Sequence, residues 1–204
     1  MNRIYIPLRK TVLLFILLLI SSAIFSAKET VLFDIILFGD KIGNLVVTRE
    51  PRPDGTEIYM LDTKSKAKIL WINKENITHY EVVYKDGKLI SSTFKEIENG
   101  EVKRWNNVSW DGSKYVVDGY KGKRTFTEIP SFSLVSIYFK DMKNVKRIFY
   151  ETEADFTQVD HPDANTWQFK SSDGHLNVYH FVDGKIQNLE FRVSIATIKM
   201  VRMD

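Results

Sequence analysis

The chain has 204 residues, 29 of them basic and 26 acidic, with a formal net charge of +3. It contains no cysteine, which excludes disulfides, thiol catalysis and a lipid-bearing lipobox cysteine. Arg3, Arg9 and Lys10 lie within residues 1–27, which hold no acid. Residues 28–204 therefore carry 26 charges of each sign, and no basic field is left to attract nucleic acid or an anionic membrane.

The N-terminus has the three-part layout of a secretory signal. The basic residues come first, Val12 to Ile20 is an unbroken apolar run, and Ser21-Ser22-Ala23 follows. The run is shorter than the roughly 20 residues that span a bilayer. Counting Ile24 and Phe25 leaves an uncleaved anchor as the alternative. Cleavage is expected after Ala23, or after Ala27 with Phe25 where a small residue is preferred. An exported protein in the cell envelope, with residues 28–204 as a single domain, is the expectation.

Past the signal, Val31 to Phe38 is apolar but for Asp34, which predicts a strand covered on both faces. Gly39 to Gly43 turns into a second strand near Asn44 to Thr48, and Pro51, Pro53 and Asp54-Gly55 form a loop. Ile58 to Leu61 and Ile69 to Ile72 read as short strands, and Ile77 to Tyr84 alternates. Asp86-Gly87, Asn99-Gly100, Asp111-Gly112, Asp118-Gly119 and Lys121-Gly122 then punctuate further short strands. Such dipeptides supply the positive φ that tight hairpins need.

Pro130 to Asn144 breaks this rhythm. Ser131 or Ser133 can cap a short helix whose apolar stripe is Leu134, Ile137, Tyr138 and Met142. Strands resume at Val145 to Tyr150, Thr166 to Lys170, Leu176 to Val182, Ile186 to Ile195 and Thr197 to Met203. Asp173-Gly174 and Asp183-Gly184 mark the last turns. One echo is present: Tyr84-Lys85-Asp86-Gly87-Lys88-Leu89 resembles Phe181-Val182-Asp183-Gly184-Lys185-Ile186, with Phe94 and Phe191 equally far beyond.

These signals predict an all-β fold of antiparallel hairpins with one short helix. A sheet of this many strands curls or splits. It can form a half-barrel whose concave face is covered by the helix near Ser133 to Lys140, or a solid sandwich without a cavity. The first arrangement would hold an apolar ligand. Its candidate ligand-binding residues are Asp34, Leu134, Ile137 and Tyr138. Asp34 is the lone charge in an apolar strand, so it must be paired or neutral if buried. It can pair with a basic residue on a neighbouring strand, line a cavity, or act in catalysis.

Little else points to chemistry. There is no phosphate loop, zinc-binding His-Glu-x-x-His pair or nucleophile elbow, and no cofactor or metal is expected. His175 and His180 are five apart on one strand and so face opposite ways. Asp160-His161-Pro162-Asp163 reads as a polar connection, and His79 with Glu81 as one solvated strand face or an acid/base couple. The interval from Gly122 to Asp173, where the hairpin ladder pauses, is the best place to look for a site.

The order of a signal, an apolar strand, Gly39-Asp40-Lys41-Ile42-Gly43, the Tyr59 strand, Asp173-Gly174-His175-Leu176-Asn177-Val178-Tyr179 and Asp183-Gly184-Lys185-Ile186 is informative. It resembles a family of exported bacterial β-rich domains of unknown function, seen mostly in Bacteroidetes-type genomes. In outline the chain is also similar to periplasmic half-barrel carriers of lipoproteins and lipids. That resemblance implies non-enzymatic binding of an apolar or amphipathic ligand in the envelope. The alternatives are an envelope structural or protein-interaction module, and, third, a hydrolase or isomerase using Asp34 or a histidine.

Overall fold

The structure, a computed structural model, describes residues 27–69, 72–193 and 196–203. The expected signal segment up to residue 26, with the expected cleavage after Ala23, lies outside the described residues, as do Leu70, Trp71 and Ile195. Among the described residues there are fifteen strands, beginning with β1 Glu29–Leu37, β2 Asp40–Pro51, β3 Thr56–Ile69, β4 Ile72–Lys85, β5 Lys88–Glu98, β6 Glu101–Trp110, β7 Tyr115–Gly119 and β8 Gly122–Phe126. After a long crossing come β9 Arg147–Tyr150, β10 Asp155–Gln158, β11 Asp160–Asp163, β12 Thr166–Lys170, β13 Leu176–Val182, β14 Lys185–Val193 and β15 Ala196–Arg202.

Thirteen strands form one antiparallel sheet in the order β11-β12-β13-β14-β15-β1-β2-β3-β4-β5-β6-β7-β8. The sheet is curved and open, not closed into a ring. β1 and β15 pair at its middle, with Phe33 opposite Arg202. The chain runs outward from there to β8, crosses to β11, and returns. The expected hairpin signals work as read at three tips: Asp86-Gly87, Asn99-Gly100 and Asp183-Gly184 all place both residues at positive φ. A fourth tip of the same kind, Phe38-Gly39, carries no polar residue at its first position.

Several elements differ from expectation. β1 alternates, burying Val31, Phe33, Ile35 and Leu37 while Leu32 is 40% exposed, so its outer face is not covered. Ile69 to Ile72 is no separate strand: Ile69 pairs with Ile72 at the tip of the long β3–β4 hairpin. Asp118-Gly119 is no turn; Gly119 ends β7, pairing with Asn106 on one side and Gly122 on the other, and the turn itself is Tyr120-Lys121. The glycine at 119 has another cause, because a Cβ there would sit 2.0 Å from Asn106 Oδ1. Asp160 to Asp163 is an exposed edge strand, not a loop.

The crossing segment packs on the sheet's core face. It contains a 3-10 turn, Ser136–Phe139, in place of the expected helix, and the small β9–β10 hairpin. Ser133 and Ser136 explain the short turn: Ser136 Oγ donates to Ser133 O, while Ser133 N donates back to Ser136 Oγ. These local bonds compete with helix propagation. The hairpin's aromatic residues interlock with the sheet. Tyr115 stacks on Phe126, and Phe126, Phe149 and Phe156 meet pairwise at 5.7–5.8 Å. One end of the half-barrel is thereby plugged.

Candidate functional site

The other end is open. A cavity of about 670 Å³ lies there, between the sheet and the inserted segment. That volume is within the range of small-molecule sites. Its walls are the inward positions of β1 to β6 and of β13 to β15, with the turn between β12 and β13, near the ends of the sheet where β1 joins β2, β3 joins β4, β5 joins β6 and β14 joins β15. Alternation on each strand is what aims these residues inward.

The interior is apolar. Ile35, Leu45, Leu61, Leu189, Ile198 and Met200 form much of the wall, and Leu134, Tyr138 and Tyr150 of the inserted segment form the floor. Phe33 braces Tyr138 edge-on at 5.7 Å. Burial holds the phenols of Tyr138 and Tyr179 well above the ordinary value, so both act as neutral groups.

The mouth is polar. Glu96 accepts from Arg104 Nε at 2.5 Å and from Asn76 Nδ2 at 2.9 Å. Burial opposes the Glu96 charge, but the Arg104 and Asn76 hydrogen bonds prevail and lower its pKa. Lys74 meets Glu98 at 3.0 Å, and His175 Nδ1 lies 3.1 Å from Asp173 Oδ2. Asn177 Nδ2 is buried without a hydrogen-bond partner among the described residues.

Beneath the floor lies Glu151, fully buried. Its Oε2 accepts from Leu134 N at 3.0 Å and its Oε1 from Val135 N at 3.3 Å. Burial dominates and pushes this carboxyl up to about 7, despite the hydrogen bonds that favour its charged form. The turn after it is held by the sheet. Asn106 Nδ2 donates to Glu151 O at 3.2 Å and Thr152 O at 2.7 Å, and Arg124 Nη2 donates to Ala154 O at 3.0 Å and to Glu153 O. Tyr80 Oη and Thr152 Oγ1 share a hydrogen bond of 2.9 Å. At the far side of the 3-10 turn, Lys140 Nζ sits 4.5 Å over the Tyr84 ring.

Of the four candidate residues, Leu134 and Tyr138 line the cavity. Ile137 is 1% exposed and packs in the core beside it. Asp34 is directed to the outer face of β1, opposite Phe33 and Ile35, and pairs with Lys41 Nζ at 2.6 Å. The structure thus separates Asp34 from the cavity. His79 pairs with Asp62 across the β3–β4 ladder at 2.6 Å, not with Glu81, and is exposed. His161 meets Val145 O at 2.8 Å at the sheet edge. The histidines do not converge. Among the described residues no group of three or more His, Cys, Asp or Glu is placed to hold a metal.

Sequence reasoning missed Glu96, Arg104, Asn177 and Glu151. The first three sit on hairpin strands that read as scaffold. Glu151 is one acid among several in Glu151-Thr152-Glu153 and Asp155, and nothing local marks it as the buried one.

A curved antiparallel half-barrel, plugged at one end and open to an apolar cavity at the other, defines the structural class. The sequence profile of a domain of unknown function, DUF6134, matches residues 33–203, and the chain belongs to that family. Among solved structures the chain is similar to the beta-barrel-like protein of domain of unknown function DUF1849 from Brucella abortus. The TM-score is 0.52 at 12% identity, over 86% of this chain and 95% of that one, a likeness of fold alone. No match was found among the curated proteins compared.

Proposed function

We propose that this protein is a non-enzymatic binding protein for an amphipathic ligand, whose apolar portion enters the cavity while its polar end stays at the mouth. The observation that supports this reading is the cavity of about 670 Å³, apolar within and polar at its opening. A preformed apolar concavity with few, placed polar groups is the general form of a small-molecule site. The signal-like N-terminus supports export to the cell envelope as the setting of this activity, which fractionation of cells expressing the full chain would test.

The binding test is a fluorescence titration with N-phenylnaphthylamine, which brightens in apolar surroundings. Saturable enhancement, reversed by a competing fatty acid, is the expected result. Enhancement that is weak, unsaturable, or unchanged when the cavity is filled by Ala67→Trp would end this reading. Ala67 lines the cavity near its mouth and lies outside the packed core.

One observation favours a second reading, as a protein-interaction module. Leu32, Val201 and Met203 are 40–43% exposed and lie together on the outer face, where Met203 N donates to Leu32 O. The edge of the sheet at β11 is poorly suited to such a role, because Asp160, Pro162 and Asp163 disfavour strand addition.

A further inference from the structure

The hydrogen-bonding groups at the mouth do not balance, and the imbalance has a sign. Most of the charges there neutralise one another: Lys74 pairs with Glu98, and Lys103 with Glu101 at 2.6 Å. Arg104 is different. It is half-buried in the cavity wall, and its Nε edge is fixed to Glu96 at 2.5 Å. Its two Nη atoms have no hydrogen-bond partner among the described residues. Across the opening, Asn177 Nδ2 on β13 is buried and equally unpartnered. Arg104, Asp173 and Asn177 line the same cavity, so the β6 wall and the start of β13 face one opening here.

Resting on the reading that the cavity holds an amphipathic ligand, we infer that its polar end is an oxyanion, a carboxylate or a phosphate, received by the Nη edge of Arg104 and by Asn177 Nδ2. Arg104 Nη and Asn177 Nδ2 are donors, so a ligand that meets them must bring acceptors; His175 Nδ1, also without a hydrogen bond among the described residues, faces Asp173 Oδ2 at 3.1 Å. An ion pair to Glu96 through Nε pre-orients the guanidinium and leaves a planar pair of N–H donors for a second, two-pronged contact. Asn177 Nδ2 is a buried donor without an acceptor, which is costly, and a head group that satisfies it recovers that cost, while the Arg104 Nη atoms remain accessible to the same head group. The ligand class is therefore a single-chain acidic lipid: a chain among Leu45, Leu61, Leu134 and Ile198, and an acidic head at Arg104.

Calorimetric titration of the purified protein with myristate, myristoyl lysophosphatidic acid and myristyl alcohol, each below its micelle concentration, tests this. At least one acid should bind about tenfold or more tighter than the alcohol, as hydrogen bonds to a charged group require. The tighter of the two identifies carboxylate or phosphate as the source. The double variant Arg104→Gln with Glu96→Gln, which leaves no orphaned charge, should bring the acid to the affinity of the alcohol. Asn177→Leu should weaken the acid alone, and keeps the test open if the double variant fails to fold. Equal binding of alcohol and acids by the unaltered protein would overturn this inference and leave the proposed function standing. Binding of none of the three would overturn the proposed function itself.

Discussion

Glu151 shows how a single residue ties stability to the floor of the cavity. Its carboxyl titrates near 7 in the folded protein, against an ordinary value of 4.5. Between those values the folded state holds a proton that the unfolded chain has released. Stability from this group is thus full below about pH 4.5 and is lost as pH rises through about 7. Chemical denaturation at pH 5 and pH 8 should show the loss, of roughly 3 kcal/mol at most. Glu151→Gln should flatten the profile, and an unaltered slope in that variant would contradict the assignment. Gly119 poses the opposite problem, since it has no side chain because Asn106 fills the space. Gly119→Ala should cost about 1–3 kcal/mol by overpacking, read as a lowered Tm. Sequence alone shows an Asp-Gly pair at this point, identical in type to the true turns. Only the third dimension, Asn106 reaching past it to the 151–152 carbonyls, distinguishes the two.

At the scale of elements, the hairpin ladder was largely legible and the inserted segment was not. β12 and β13 begin and end where alternation predicted, at Thr166–Lys170 and Leu176–Val182. The echo between the Asp86-Gly87 and Asp183-Gly184 hairpins extends to their backbone. Both place a register shift at the same step, between Val83 and Tyr84 and between His180 and Phe181. Both also direct the later phenylalanine, Phe94 or Phe191, into the cavity wall. Short-range turn chemistry determines such features, so a sequence reveals them. The long β3–β4 hairpin was misread at Ile69 to Ile72 because its tip is apolar and lacks a turn signal. The 131–139 segment was misread because the Ser133–Ser136 bonds stop the helix locally and Glu151, distant in sequence, anchors the amides of Leu134 and Val135. The anchoring of this segment can be broken from the sheet side. Asn106→Ala removes the donor to two buried carbonyls and should cost about 1–3 kcal/mol. It should also weaken ligand binding, because Tyr150 and Thr152 on the same turn line the cavity. Equilibrium denaturation and probe titration on the same sample would check both effects.

Among the described residues the first and last strands of the sheet meet near its centre, β1 beside β15. This arrangement lets the crossing from β8 to β11 lie inside the curve. The crossing fills one end with aromatic residues and leaves the other end hollow. The choice between a half-barrel and a solid sandwich could not be read from composition, because both bury the same alternating residues; it is decided by where residues 127–159 pack. The proposed function requires that the hollow end carry a ligand. Native mass spectrometry of the protein purified without detergent, before and after incubation with myristate, tests that claim most directly. One bound amphiphile per chain is expected, released by collisional activation and absent from Ala67→Trp. A chain that stays at its bare mass, with and without offered lipid, would contradict it.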